Sequence, residues 1–281
     1  MIERPLPDID SWVNLFSESS LPILRHTRRQ LDELLANIDN VAARDLAQVV
    51  LQDPIMSVRV LAYIQPLRGK SLQHDITTIA SAIMMSGIEP FFQRFGDLPT
   101  IENKLKDSAP QAWLGVMQVI RRSQRAADYA WDWAVWRHDI NAEEVRLAAL
   151  LHDLAEILCW CFAPKLSLEI MQLRQVNPTM RSADAQRQII GFTMLDLQQA
   201  LCRDWHLPDL MKNLMDDEHA TTPRARNVTL AVRLARHSAK GWADPALPDD
   251  YKDIGELLHL VPEAVMQRLG VPAAATPEES D

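Results

Sequence analysis

His152 and Asp153 stand side by side in the apolar run Leu147 to Leu158 (LAALLHDLAEIL), where a helix that only filled a core would carry neither. A buried carboxylate needs a compensating partner. A divalent cation is one such partner, since neutral imidazole and carboxylate both ligate Zn, Mn or Fe and neighbours on a helix can bridge one or two metals. The other is an arginine for Asp153 and a backbone carbonyl for His152, which makes the pair structural.

The remaining candidates have simpler readings. Cys159 and Cys161 flank Trp160 in a C-x-C spacing that suits a soft metal, but no second Cys or His pair stands nearby, so core thiols are expected. Asp216, Asp217, Glu218 and His219 offer hard-metal donors or, more simply, a solvated polar helix end. Tryptophans at 12, 113, 131, 133, 136, 160, 205 and 242 are expected in the core or at helix contacts, with indole N–H groups finding local acceptors. A Gly-rich phosphate loop, a G-x-S-x-G elbow and a Ser-His-Asp order are all missing, which weighs against the enzymes built on them.

Composition narrows the class. The 281 residues are 47% hydrophobic with only 8 glycines and 3 tyrosines, enough to fill a core of one large domain or two ordinary ones. Leu, Ala, Gln, Arg and Met, the residues that lose least on entering a helix, are plentiful, so the expected fold class is all-α. A net charge of −9 repels polyanions, and neither nucleic acid nor a membrane is expected as a partner. Arg121, Arg122 and Arg125 form the densest basic patch and read as a solvated helix face. Three cysteines in a chain whose first ten residues carry Glu3, Asp8, Asp10, Pro5 and Pro7 fit a reducing cytoplasm and no secretory leader. No apolar run approaches the roughly 20 residues of a membrane span.

The elements that must hold the pair follow from caps and periodicity. Residues 1–20 read as a loosely ordered arm. Thr27 caps a helix reaching about Ile38, a second runs from Ala42 to Leu51, and Asp53-Pro54 starts a third through Ile64. Asp75 or Thr77 caps a helix over Thr78 to Met85 that Gly87 ends, and Pro90 opens another through Phe95. The polar stretch Gly96 to Pro110 marks a boundary between subdomains at 21–105 and 106–270. Beyond it, helices are expected over Gln111 to Trp136, Asn141 to Phe162, and near 165–176, 182–203, 207–217 and 223–240, with a disordered tail over 271–281.

With the elements in place, the chain resembles the HD superfamily, and within it the HDOD branch, the HD-related output domains of bacterial signalling proteins. The signature helix is LAALLHDLAEIL. Leu21-Pro22, the Leu31 to Leu35 helix, the block Leu46 to Ile55 with Val58 to Leu61, and Ile79 to Gly87 match the amino-terminal half, while Trp205-His-Leu-Pro208 followed by His219 matches the carboxy-terminal half. The resemblance spans roughly Leu21 to Gly270. It implies a small amino-terminal helical bundle packed on an HD-like bundle.

Active members of the superfamily hold metal with a His on the preceding helix, the His-Asp pair and a later Asp, often with further histidines. Here Arg122-Ser123 stands where His-Ser is common, Met194 at the later His position, Glu218 before His219, and Arg236, or Val232 in a shifted register, where the Asp belongs. A guanidinium has no lone pair for a metal and is always charged, so Arg122 can instead pair with Asp153. The resemblance with these departures implies a degenerate site of Arg122, His152, Asp153, Met194, His219 and Arg236, with no catalytic residue, metal or cofactor. It implies a regulatory module for second-messenger or two-component partner proteins; an interaction or small-ligand site is expected in the groove between subdomains, since domain junctions favour pockets, and homodimerisation is left open. The alternative is a residual metal-dependent phosphohydrolase of nucleotides or phosphodiesters, ligated by His152, Asp153 and His219.

Overall fold

Short polar side chains start several of the helices by accepting the first free backbone N–H groups. Asp8 accepts from Ser11 N at 2.8 Å, Asp53 from Ile55 N and Met56 N, Thr78 from Ser81 N, Thr100 from Asn103 N, Thr193 from Asp196 N and Thr222 from Ala225 N. The computed structural model describes residues 1–67 and 75–272. Over these the helices are α1 (Ile9–Glu18), α2 (Arg25–Leu35), α3 (Ala43–Val50), α4 (Pro54–Ile64), α5 (Ile79–Ser86), α6 (Ile88–Phe95), α7 (Ile101–Lys104), α8 (Pro110–Trp136) and α9 (Ala142–Leu151). They continue with α10 (Leu154–Phe162), α11 (Pro164–Val176), α12 (Ser182–Ile190), α13 (Met194–Asp204), α14 (Asp209–Leu214), α15 (Pro223–His237), α16 (Leu247–Leu258) and α17 (Pro262–Arg268).

The fold is all-α, 72% helical, and no strand forms among the described residues. A single parallel bridge joins Ile23 to Thr100. Asp53 adds a second junction, because its Oδ2 also accepts from Leu24 N at 2.7 Å and so ties the start of α2 to the start of α4. No single helix among the described residues is long and apolar enough to cross a membrane.

Several sequence expectations are corrected. The arm over 1–20 contains α1, whose Trp12, Val13 and Phe16 are buried. Trp12 meets Phe192 edge-on at 6.2 Å and Phe16 meets Phe162 at 5.4 Å, and Trp205 Nε1 donates to Ser17 at 2.8 Å, so α1 is strapped to the carboxy-terminal half. The prolines before it hid this helix. Thr27 is buried inside α2, which Leu24 precedes and which ends at Leu35; Thr78, rather than Asp75 or Thr77, caps α5; and α6 starts at Ile88. The helix expected over 182–203 breaks at Gly191, whose φ of +91° is the left-handed region that glycine adopts at no steric cost. The 207–217 helix shrinks to α14, and α16 and α17 were not anticipated. Of the disordered tail expected over 271–281, residues 273–281 lie outside the described residues.

The most consequential correction is at the pair itself. The helix expected over Asn141 to Phe162 is two helices, with His152 and Asp153 in a turn between them. The broken ends are stitched by Gln198 of α13, 2% exposed: its Nε2 donates to Leu151 O at 3.0 Å and its Oε1 accepts from Ala155 N at 2.9 Å. One side-chain amide thus satisfies a carbonyl at the end of α9 and an N–H at the start of α10.

The 27-residue α8, about 40 Å long at the usual rise, is the spine against which α9, α10, α11 and α15 pack. Gly115 faces the Trp160 ring of α10, and seven residues on Arg122 faces Asp153, so the two helices run antiparallel. A Cβ at 115 would sit 2.5 Å from the Trp160 ring. Glycine is needed here for close approach, and that approach sets the reach of Arg122. Alanine is the better helix former by about 1 kcal/mol, so Gly115→Ala reports which effect wins. We expect a net loss of about 1 to 3 kcal/mol in urea unfolding; a gain in stability would mean that α8 and α10 are not held this closely.

Candidate functional site

Three segments far apart in sequence, with the helix that follows it, converge on the His152–Asp153 turn. Arg122 comes from α8, Glu156 from the first turn of α10, Asp217 from the 3-10 turn Asp217–His219, and Arg236 from the last turn of α15. Arg122 places Nε 2.8 Å and Nη2 2.6 Å from Asp153 Oδ2, and the same Nη2 lies 2.7 Å from Glu156 Oε2. Arg236 Nη2 reaches the other oxygen, Asp153 Oδ1, at 3.1 Å. His152 lies between two carboxylates, with Nδ1 3.3 Å from Asp153 Oδ1 and Nε2 3.1 Å from Asp217 Oδ1. Thr229 completes the set by donating to Asp217 Oδ1 at 2.9 Å.

The cluster is close to electroneutral when His152 is protonated, with Arg122, Arg236 and His152 set against Asp153, Glu156 and Asp217. Burial opposes the charge on Asp153, yet Arg122, Arg236 and the His152 hydrogen bond outweigh it and hold the carboxyl well below its ordinary range. Burial likewise opposes the imidazolium, but Asp153 and Asp217 outweigh it and raise His152 to about 9. Asp217 is held low by His152 and Thr229 against the cost of its burial.

These donors do not fit a metal ion. A ligating imidazole must offer a lone pair, whereas both ring nitrogens of His152 face carboxylates as an imidazolium would. Those carboxylates sit on opposite edges of the ring, so the three groups do not converge, and among the described residues no group of three or more His, Cys, Asp or Glu could hold a metal. Both oxygens of Asp153 are taken by guanidinium groups.

The other expected site residues fall elsewhere. His219, assigned as a distal ligand under the alternative reading, is corrected: its side chain is 77% exposed and its Nδ1 pairs with Asp216 Oδ2 at 2.8 Å. Its neighbour Asp217 reaches His152 instead, because a 3-10 turn points residues three apart the same way and sends 217 and 219 to different sides. Met194 is the first residue of α13, its N–H held by Gln186 Oε1 at 2.8 Å. Arg121 is exposed and Arg125 turns to Ser238 and Tyr129, so with Arg122 half-buried against Asp153 the three do not form a patch. Cys159 and Cys161 are buried core thiols, pushed up by burial.

Sequence reasoning missed Glu156 and Gln198, and read Asp217 as a hard-metal donor or part of a solvated polar end rather than as the partner of His152. Glu156, three residues after Asp153 on an otherwise apolar face, carried a readable signal; Gln198 carried none. Two surface depressions among the described residues each lie within one half, one of about 490 Å³ lined by Ile83, Met84 and Pro90, the other of about 370 Å³ lined by Arg137, Ile140 and Pro223.

The family model of the HDOD domain matches residues 21–221. This chain therefore belongs to the HDOD family. Among solved structures it is similar to the MmoQ response regulator of Methylococcus capsulatus strain Bath, with a TM-score of 0.67 at 18% identity over 90% of this chain and 98% of that one. It is also similar to a virulence factor of Campylobacter jejuni, with a TM-score of 0.63 at 17% identity over 95% and 94% of the two chains. At these identities the likeness is one of fold. No curated protein matches the chain. α1, α16, α17 and Arg236 lie outside the matched residues.

Two measurements test the cluster. Removing one partner of a buried ion pair leaves the other charge uncompensated, so Arg122→Met is expected to cost about 3 to 5 kcal/mol at neutral pH. Arg236→Met costs less, because that side chain is 47% exposed and water replaces it. Equal losses would contradict this geometry. His152 has a folded pKa of about 9, above the unfolded value near 6.5. Its contribution to stability is therefore complete below about pH 6.5 and is lost as pH rises through 9. Urea unfolding across this window should show that loss, and Asp217→Asn should move it to lower pH.

Proposed function

We propose that this chain is a non-catalytic regulatory module of bacterial signal transduction that acts through contacts with a partner signalling protein. The observation that carries the reading is the occupation of the His152–Asp153 pair: two guanidinium groups take both oxygens of Asp153, and two carboxylates take both nitrogens of His152. Metal-activated water needs open coordination positions on an ion held by about three protein ligands, and the cluster offers neither. The charged groups that could have served chemistry serve packing.

The fold shared with the Methylococcus response regulator supports a role in signalling. The net charge of −9 supports a protein partner over nucleic acid or an anionic membrane, and no cofactor is required. Within the cluster His152 and Asp153 are buried, and solvent reaches the side chains of Glu156, Asp217 and Arg236.

The test is metal analysis of protein purified without chelator and reloaded with Mn, Fe or Zn, with hydrolysis of a phosphodiester assayed in parallel. The expected result is metal far below stoichiometric and no turnover above that of Asp153→Ala. Near-stoichiometric metal with turnover abolished by Asp153→Ala would overturn the proposal in favour of a residual phosphohydrolase.

A further inference from the structure

Arg59 of α4 is a half-buried guanidinium that forms no ion pair among the described residues. Its Nη1 donates to Leu21 O at 2.9 Å, but its Nε is buried and meets no acceptor, and its Nη2, open to solvent, has no partner among the described residues either. Nε and Nη2 form one edge of the guanidinium plane, the edge by which Arg122 holds Asp153. Arg122, Arg224 and Arg233, half-buried like Arg59, each meet two carboxylates. A buried N–H without an acceptor is rare enough in folded proteins to call for one.

A second guanidinium stands beside it. Tyr63 follows Arg59 by one turn of α4, a spacing that puts both side chains on one face with Cβ atoms about 5 to 6 Å apart, and Arg94 of α6 lies over the Tyr63 ring at 5.6 Å. The edge-on contact of Tyr63 with Phe95 at 5.5 Å holds α6 against this face. The carboxylates that could neutralise the two arginines are engaged elsewhere: Asp53 accepts from Leu24 N, Ile55 N and Met56 N, and Asp97, three residues after Arg94, pairs with Arg28 at 3.2 Å. Burial, with repulsion from Arg94, lowers Arg59 to about 10 against the pull of Asp53. Two like charges are thus held together in a chain whose net charge is −9.

We infer that Arg59 and Arg94 bind a phosphate group, either the free ion or the end of a small phosphate ester. The planar guanidinium edge matches two oxygens of a phosphate side by side, and the free Nε–Nη2 edge of Arg59 is of that kind. Charge selects the dianion. Two uncompensated guanidinium groups are balanced by one phosphate, whereas a single carboxylate balances one of them. A tetrahedral group also has oxygens to spare for Arg94, which arrives from a different helix.

Titration calorimetry of the full chain at low ionic strength and about pH 8, above the second pKa of a phosphate ester near 6, tests this with inorganic phosphate and glycerol phosphate as probes. Saturable binding is expected with a dissociation constant of about 1 mM or tighter, together with a rise in the thermal midpoint as either probe is added. Arg59→Gln and Arg94→Gln should each raise that constant at least about tenfold, while Arg187→Gln, on α12 in the other half, binds like the wild type. Arg94 is exposed, so if Arg59→Gln fails to fold, Arg94→Gln decides alone. Glycerol phosphate binding about tenfold tighter than the free ion identifies the ester as the ligand, and equal binding identifies the ion. No saturable binding of either probe overturns the inference. So does binding that Arg94→Gln leaves intact, which means an adventitious ion only, and so does acetate binding as tightly as phosphate. These variants leave His152 and Asp153 untouched, so metal content and hydrolysis report on the regulatory reading independently.

Discussion

Asp153 can be buried as a carboxylate only if positive charge meets both of its oxygens, and much of the larger bundle is arranged around that demand. Arg122 answers from α8 and Arg236 from α15, two helices that also pack against each other. Desolvating the three groups costs several kcal/mol each, so the cluster is a poor source of net stability. Its effect lies in penalising any arrangement that leaves one member alone. α8, α10, α15 and the 3-10 turn at Asp217 are fixed in one register because each supplies a charge the others need.

The same demand explains the turn in the middle of an apolar run. Continuous helix through His152 and Asp153 would keep their backbone groups in the ladder; the break instead frees a carbonyl and an N–H that must find partners in a buried place. Gln198 supplies both from α13. A glutamine rather than a carboxylate suits the position, since it donates and accepts at once and adds no charge to a cluster already balanced.

Around the His152–Asp153 pair, Arg122 and Arg236 bring positive charge to both oxygens of Asp153, and Arg122 also meets Glu156, so these carboxylates are compensated by side chains of the chain itself. Exposed apolar and aromatic surface on α8, at Trp131, Val135 and Trp136, lies apart from this cluster.

The sequence by itself determined the helical class and the central helix from residue 110 or 111 to Trp136, because composition, helical period and local caps act between near neighbours; the motifs of its resemblance, LAALLHDLAEIL above all, pointed to the family and drew attention to His152 and Asp153. It also pointed to Arg122 as the partner of Asp153, through a cationic residue standing where a ligand belongs. It misread α1 as an arm because prolines precede it, although Trp12 and Phe16, which touch each other, find their distant aromatic partners in Phe192 and in Phe162 at the end of α10. Only the tertiary structure decided that His152 and Asp153 sit in a break, that Gln198 mends it, and that Asp217 rather than His219 reaches the imidazole. Those outcomes depend on charges and hydrogen-bond donors brought together from residues 43 to 83 positions apart, and no local pattern encodes which of two neighbouring side chains a turn will point inward.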